Sequence, residues 1–98
     1  MRWLFDLGMA AKVRPVHVVS APFGDADRVL TTVVPHTTEL RGSEYEVSVK
    51  APFLKPGAFL VQGVSTYPTA WAIRKMGTLD DEKFDLVFAA LLKWLGHC

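Results

Sequence analysis

The hydrophobic periodicity of this chain changes once, at Thr78. Before Thr78, short apolar runs rich in β-branched residues alternate with turn sequences, which is typical of short β-strands. After it, apolar side chains recur at helical spacing as far as Leu95, and Gly96 follows, which predicts one amphipathic helix that ends at the glycine. Residues 78–81 (TLDD) predict a capping box at the start of that helix. Short strands followed by one helix favour a mainly β fold, a small barrel or strongly curved sheet that the helix plugs or covers.

The third predicted strand, residues 28–37, carries apolar side chains too continuously for a strand with one wet face. It should therefore be central in the sheet. Residues 44–50 instead alternate polar and apolar side chains, which predicts a half-buried strand. The other predicted strands are residues 3–7 (ended by Gly8), 13–20 and 58–64. Pro68 ends the region after the last of these, and residues 71–76 form a last short strand or a turn. Loops are predicted at residues 40–43 and 52–57.

The length and charge of the chain limit what it can be. Its 98 residues suffice for one domain with a thin core, so residues 1–98 form a single predicted domain. Half of the residues are hydrophobic and 21% are charged, which excludes disorder and suggests that some apolar surface serves a partner subunit. Residues 1–77 hold nine basic and six acidic side chains, so the body permits phosphate contacts without being a polycationic coat. The wide apolar face of the helix, to which Trp94 adds, predicts deep burial or a dimer surface.

The single cysteine, Cys98, excludes an internal disulfide framework and a CxxC metal knuckle. Its scarcity favours a reducing compartment. The first residues reach a charge at Asp6 after only a few apolar ones, unlike a signal peptide, and the apolar run 86–92 is far shorter than the roughly 18 residues that a membrane span needs. We therefore expect a soluble, cytoplasmic domain that does not enter a membrane.

The sequence contains no phosphate-binding loop, dinucleotide fingerprint, nucleophile elbow or HExxH zinc motif. Its histidines, His17, His36 and His97, stand at no metal-ligand spacing, so we expect neither a metal site nor a cofactor. Two weaker candidates for a site remain. Arg14 precedes a proline at the start of a strand, and a guanidinium suits bidentate phosphate binding. Residues 35–38 (PHTT) place two hydroxyls and an imidazole at the end of the predicted central strand. On the residues alone, ordinary exposed strand ends explain both features equally well.

Three segments, in this order and with these separations, resemble the MazF/PemK family of toxin endoribonucleases. They are residues 14–20 (RPVHVVS), 32–38 (TVVPHTT) and 76–79 (MGTL), the last leading into the terminal helix. The resemblance covers nearly the whole chain, from Trp3 to Gly96. It implies an SH3-like small β-barrel with a C-terminal helix, a homodimer, and inhibition by a cognate MazE-like antitoxin. It also implies cleavage of single-stranded RNA (mRNA) without a metal, by attack of the 2′-hydroxyl, to 2′,3′-cyclic phosphate and 5′-hydroxyl ends.

The resemblance assigns site residues as well. Arg14 matches the arginine of the family's Arg-Pro pair, and Thr37 matches the first threonine after its Val-Pro-x element; in the family both belong to the cleavage site. Attack by a 2′-hydroxyl builds negative charge on a five-coordinate phosphorus, which Arg14 would stabilise while Thr37 donates a hydrogen bond to a phosphate oxygen. Lys12, Ser20 and Thr38 are the expected contacts to RNA phosphates or bases.

The sequence leaves the general base unassigned. His36 suits the task because imidazole titrates near neutrality. Neighbouring residues of a strand point to opposite faces, however, so His36 and Thr37 should not both face the RNA unless the strand has ended. His17, in an apolar strand, is expected to be a core residue.

Three departures from the family pattern bear on activity. The loop before the Arg-Pro pair is shortened to residues 8–13, and the basic lead-in is reduced to residues 1–2. Gln62-Gly63 replaces an Asp-Gln pair, so an acidic helper that some relatives use is missing. Two alternatives to an active ribonuclease follow. One is a catalytically weak relative that only binds RNA or antitoxin, and the other is a gyrase-binding toxin of the same fold, which would depend on helix residues such as Trp94 and Gly96.

Overall fold

Short antiparallel strands followed by a terminal helix make up the structure, a computed structural model that describes residues 3–9, 12–52 and 54–97. Two short 3-10 turns, Val61–Gly63 and Thr69–Trp71, interrupt the strands of the second half. The order of elements confirms the prediction of a mainly β chain with one C-terminal helix. The strands are β1 (Trp3–Met9), β2 (Lys12–Val18), β3 (Leu30–Thr37), β4 (Glu46–Val47), β5 (Ala58–Leu60), β6 (Ser65–Pro68) and β7 (Ala72–Thr78), and the helix is α1 (Asp81–Trp94).

Strand β3 is the centre of the sheet, as its continuous apolar character predicts. The sheet runs in the order β4-β5-β3-β2-β1-β7, all antiparallel, and β6 also pairs with β3. One edge of β3 therefore serves two partners: Leu30–Val33 pairs with β6, and His36–Thr37 pairs with β5. Strands β6 and β7 are joined by the turn Thr69–Trp71 and form no ladder with each other in the described ranges. The sheet is therefore curved like a barrel and not closed.

Both faces of the curved sheet carry buried apolar side chains, since successive residues of β2 and β3 point to opposite sides. On one side, Val16, Val18 and Val33 pack with Leu7 in one apolar cluster. On the other side, a second, larger cluster joins the sheet to the helix. Its fully or nearly fully buried members are Leu4, Val34, Val49, Phe59, Val61, Leu79, Val87 and Leu91.

The helix begins two residues later than the capping box predicts, since its N-cap is Asp80 and not Thr78. Thr78 remains the last residue of β7, and Asp80 is the N-cap, its carboxylate accepting a hydrogen bond of 2.9 Å from the backbone N–H of Lys83. An aspartate in this position satisfies one of the free N–H groups at the helix start and complements the positive end of the helix dipole. Gly96 adopts a left-handed φ of 88° just after the helix, as predicted for the stop signal.

The interpretation of Gly8 as a strand end is wrong. Strand β1 continues through Gly8 to Met9, and the β1–β2 ladder pairs Gly8 with Val13 and Met9 with Lys12. The residues interpreted as a shortened loop, 8–13, therefore belong largely to this hairpin. The glycine is explained by close packing, because a Cβ at Gly8 would lie 3.0 Å from Cδ1 of Ile73 in β7.

Other strand boundaries differ from the prediction where tertiary contacts decide them. The segment 44–50 pairs only through Glu46–Val47. The predicted strand 58–64 stops at Leu60 and continues as the turn Val61–Gly63, where a Cβ on Gly63 would lie 2.9 Å from the ring of Pro35. The sequence does not predict strand β6, because it treats Pro68 as the end of the region. In the structure Pro68 is the last residue of β6 and pairs with Leu30 at an edge of β3. Among the described residues, no helix has the length and apolar character to cross a bilayer.

Candidate active site

The register of β2 and β3 places Arg14 beside Thr37. Val16 lies opposite Pro35 in this antiparallel pair, so continuing two residues along each strand brings Arg14 and Thr37 to adjacent positions on the same face. Thr37 is at the same time held by β5, where it pairs with Ala58. The two residues that the sequence assigns to one site are therefore brought together by the central strands of the fold.

Two clefts open on either side of this pair. Arg14, Thr37 and Glu39 line both clefts and form the wall that they share. The first cleft, of about 360 Å³, is completed by Pro15, His36, Thr38, Lys55 and Met76. The second cleft, of about 350 Å³, is completed by Arg41, Ser43, Glu46, Leu60 and Gln62.

The hydroxyl of Thr37 is oriented by the backbone that follows β3. Its Oγ1 accepts a hydrogen bond of 3.1 Å from the backbone N–H of Glu39. Because a hydroxyl both accepts and donates, this bond leaves the hydrogen of Thr37 available to donate to an anion. Gly57, which precedes β5, packs directly against the backbone of Thr37, since a Cβ on Gly57 would collide with the carbonyl oxygen of Thr37. The arrangement presents a fixed hydrogen-bond donor at the shared wall.

Cations line the wall and both clefts, beside the carboxylates of Glu39 and Glu46. Arg14 lies on the wall, Lys55 lines the first cleft and Arg41 lines the second. Within the described part of the chain, the side chains of Arg14 and Lys55 form no hydrogen bond and no ion pair. A phosphate entering the first cleft would therefore meet two cations, Arg14 and Lys55, that are not held in an ion pair, and in the second cleft it would meet Arg14.

His36 lines the first cleft from a largely buried position. Only 5% of its surface is exposed, and its ring packs edge-on against Phe59 with 5.2 Å between ring centroids. Burial lowers the pKa of His36 below the usual 6.5, so the ring is neutral at neutral pH. The Nε2 atom is buried and has no hydrogen-bond partner among the residues that the structure describes. These contacts place most of the imidazole on the core side of β3, as the alternation of the strand predicts.

The remaining sequence-predicted contacts are not all brought to this site. Thr38 lines the first cleft and is exposed. Ser20 lies beyond the other end of β2, where its Oγ accepts a hydrogen bond of 3.1 Å from the backbone N–H of Thr32 and lines a different, apolar cleft. Lys12 begins β2, but its side chain, like Cys98, lies outside the described residues. His17 is fully buried, with its ring near those of Phe59 and Phe84, as expected for a core residue.

Three charged or polar residues of the clefts were missed by the sequence reasoning. Lys55 belongs to a loop between β4 and β5, and Glu39 and Arg41 follow β3 in a segment without periodicity. No local pattern signals their approach to Arg14. Gln62, noted only as a departure from the family pattern, lines the second cleft. In the ranges that the structure describes, no three His, Cys, Asp or Glu side chains cluster closely enough to hold a metal ion.

Comparison with known proteins gives one family match and several structural ones. The model of the PemK-like, MazF-like toxins of type II toxin-antitoxin systems matches residues 3–95. No curated protein sequence matches the chain significantly. The fold is similar to that of solved structures at low sequence identity.

Three of these structures are representative. The Mycobacterium tuberculosis toxin MazF-mt6 is 24% identical, with a TM-score of 0.82 over 97% of this chain and 97% of that chain. A mycobacterial endoribonuclease in complex with its cognate antitoxin is 16% identical, with a TM-score of 0.83 over 96% and 91% of the two chains. A MazE-MazF structure from Deinococcus radiodurans is 18% identical, with a TM-score of 0.81 over 99% and 93%.

Proposed function

The chain belongs to the PemK-like, MazF-like toxins of type II toxin-antitoxin systems, and on that premise we propose that it is a metal-independent endoribonuclease that cuts single-stranded RNA. The substrate proposed is mRNA in the cytoplasm, cleaved at selected sequences. The observation that carries the proposal is the common position of Arg14 and Thr37 at the wall of two clefts, where Arg14 forms no ion pair among the described residues.

The proposed reaction is an internal transfer of the phosphodiester. The 2′-oxygen of one nucleotide attacks the adjacent phosphorus, the bond from phosphorus to the 5′-oxygen breaks, and the products carry a 2′,3′-cyclic phosphate and a 5′-hydroxyl. Negative charge grows on the nonbridging oxygens as phosphorus becomes five-coordinate. Arg14 stabilises that charge with its guanidinium, and Thr37 donates its free O–H to one of the oxygens.

The clefts also suit the positioning of a single strand. With the scissile phosphate at the shared wall, Lys55 in the first cleft and Arg41 in the second lie on the two sides of Arg14. Cations on both sides would hold neighbouring phosphates and fix the direction of the strand, which places the 2′-oxygen in line for attack. Thr38 is the proposed additional contact in the first cleft.

A homodimer and a MazE-like antitoxin are the proposed partners. The MazE-MazF structure of a relative supports an antitoxin, and the exposed apolar side chains of this chain support a partner surface. On the helix and at its C-cap these are Leu86, Trp94 and Leu95; elsewhere they include Trp3, Phe23, Val29, Leu30, Trp71 and Ile73. Sedimentation showing a monomer at micromolar concentration would contradict the dimer.

The gyrase-binding alternative gains no support from the helix residues on which it would depend. Trp94 packs edge-on against Tyr45, with 5.2 Å between ring centroids, and Gly96 ends the helix with a left-handed φ. Both residues thus have structural roles that account for their presence.

The function is tested by incubating the purified protein with a long mixed-sequence RNA in EDTA and mapping the cuts. We expect cuts at a few discrete positions, with 5′-hydroxyl ends. An oligonucleotide that carries 2′-deoxyribose at one mapped position, and ribose elsewhere, should resist cleavage there. Cleavage at the deoxy position, or 5′-phosphate ends, would contradict attack by the 2′-oxygen, and binding without any cleavage would favour the catalytically weak relative.

A further inference from the structure

Three described side chains of the two clefts contain an atom able to take a proton from a nucleophile at neutral pH: His36, Glu39 and Glu46. They differ in exposure and in the hydrogen bonds that their side chains already form. These differences decide which group is free to act as the general base.

The carboxylate of Glu46 is held by backbone hydrogen bonds from the loop before β4. It accepts hydrogen bonds from the backbone N–H of Arg41, at 3.1 and 3.0 Å to its two oxygens, and from the backbone N–H of Ser43 at 2.9 Å. These bonds stabilise its ionised form and fix its orientation towards the backbone. A proton taken up by Glu46 would weaken them, so this group is poorly placed to act as a base.

His36 is limited by burial. Its ring packs on Phe59, its Nε2 is enclosed, and a Cβ on Gly57 would lie only 2.8 Å from its Cε1. The imidazole is thus confined between β5 and the segment that precedes it. A strand of RNA cannot approach the enclosed face of the ring without separating these elements.

Glu39 has neither limitation. It is exposed, it lines both clefts, and its side chain forms no hydrogen bond or ion pair within the described ranges. Its backbone N–H is bonded to Oγ1 of Thr37, which ties the position of Glu39 to the donor proposed to hold the phosphate. The charged groups that share the clefts with it are Arg14, Lys55 and Arg41, together with Glu46, whose carboxylate is hydrogen-bonded to the backbone. Phosphate binding therefore remains compatible with one free carboxylate.

We infer that Glu39 is the general base of the cleavage reaction, an inference that rests on the proposed ribonuclease function. Its carboxylate takes the proton of the 2′-hydroxyl as the bond from the 2′-oxygen to phosphorus forms. The bond from phosphorus to the 5′-oxygen breaks, and the leaving 5′-oxygen takes a proton from water. Glu39 thereby supplies from the loop after β3 the acid that the sequence lacks at Gln62-Gly63, and it does so in the same cleft as Gln62.

The test compares Glu39→Gln, Glu39→Asp and the wild type on an oligonucleotide that contains one mapped cleavage site. Loss of the base should lower kcat by about 10²- to 10⁴-fold in Glu39→Gln, whereas Glu39→Asp retains a carboxylate and should keep more activity. Affinity is measured separately with the same oligonucleotide carrying 2′-deoxyribose at the site. Removing a negative charge should leave that affinity unchanged or raise it. Glu82→Gln, on the exposed first turn of α1, is the matched control and should cleave like the wild type.

The outcomes separate this inference from the proposed function. Full activity of Glu39→Gln beside an active wild type would overturn the assignment of Glu39 and leave the ribonuclease in place. A loss of affinity that accounts for the whole loss of cleavage would overturn it too, because Glu39 would then only shape the site. Loss of cleavage in His36→Gln with an active Glu39→Gln would move the base to His36. An inactive but folded wild type would overturn the ribonuclease and the base together.

Discussion

Arg14 and Thr37 occupy adjacent positions on the antiparallel strands β2 and β3, two residues beyond the pair that Val16 makes with Pro35. Both side chains line both clefts of the candidate site. A cation and a hydroxyl donor are thus fixed side by side by the most central part of the sheet. Such preorganisation costs little when charge develops in a transition state, and it is the reason for placing the reaction here.

The first prediction concerns the hydroxyl of Thr37. Thr37→Val keeps the shape of the side chain and removes the O–H, so cleavage should fall by about 10²-fold, the typical cost of one lost transition-state donor. Thr37→Ser keeps the hydroxyl and the acceptor for the Glu39 N–H, and it should retain most activity. Single-turnover cleavage rates measure both. Equal rates for the two variants would show that the hydroxyl does not act in the reaction.

The second prediction concerns Gly57, which packs against the end of β3. A methyl group there would collide with the carbonyl oxygen of Thr37 and lie 2.8 Å from Cε1 of His36, so the strand end must shift. Gly57→Ala should lower the free energy of unfolding by about 1–3 kcal/mol and reduce cleavage through the displaced Thr37. Gly24→Ala is the control, because its nearest neighbour, Oδ2 of Asp27, would be 3.6 Å away. Denaturant unfolding that gives the same stability for Gly57→Ala as for Gly24→Ala would contradict the packing argument.

The third prediction is a pH dependence of stability caused by His36. Burial holds its pKa in the folded chain below 6.5, so the unfolded chain takes up the proton first as the pH falls. The contribution of His36 should be absent above about pH 6.5 and should destabilise the fold progressively as the pH drops from there to the lowered value. Denaturant unfolding of the wild type and of His36→Gln at pH 7.5, 6 and 5, values chosen to bracket roughly this window, measures the difference. A difference that stays constant with pH would show that His36 does not titrate differently in the two states.

The fourth prediction concerns the start of α1. Asp80→Ala removes the acceptor for the backbone N–H of Lys83 and should cost about 0.5–2 kcal/mol of unfolding free energy. Asp80→Ser supplies another capping oxygen and should recover most of it. Thr78→Ala, at the position that the capping box predicted, should have a smaller effect, since Thr78 ends β7. A larger loss of unfolding free energy in Thr78→Ala than in Asp80→Ala would show that Thr78, and not Asp80, caps the helix.

The sequence predicts most of what local patterns control. The change of period at Thr78 predicts the single helix, and the continuous apolar run of residues 28–37 predicts the central strand. Gly8 shows where such reasoning ends. It resembles a local break, yet the strand continues through it, and Ile73 of β7 packs where a Cβ on Gly8 would lie.

The candidate site was predicted only in part for the same reason. Arg14 and Thr37 stand in segments whose order resembles a known family, and the register of two strands brings them together. Lys55, Glu39 and Arg41 lie in irregular segments, so only the folded chain shows that they share clefts with Arg14. The sequence predicts Ser20 at the site, but Ser20 lies elsewhere. Strand β2 ends at Val18, and the hydroxyl of Ser20 accepts a hydrogen bond from the backbone N–H of Thr32.

Metal-independent cleavage at the wall of Arg14 and Thr37 is tested most directly by the rates at which the wild type and Arg14→Ala cleave a mixed-sequence single-stranded RNA in EDTA. We expect discrete cuts by the wild type and a loss of about 10³-fold or more in the variant, because no other described side chain replaces the guanidinium at the shared wall. Circular dichroism and unfolding of Arg14→Ala should match the wild type, since its side chain makes no hydrogen bond or ion pair within the described residues. Undiminished cleavage by a pure, folded Arg14→Ala would show that the reaction does not take place at this wall.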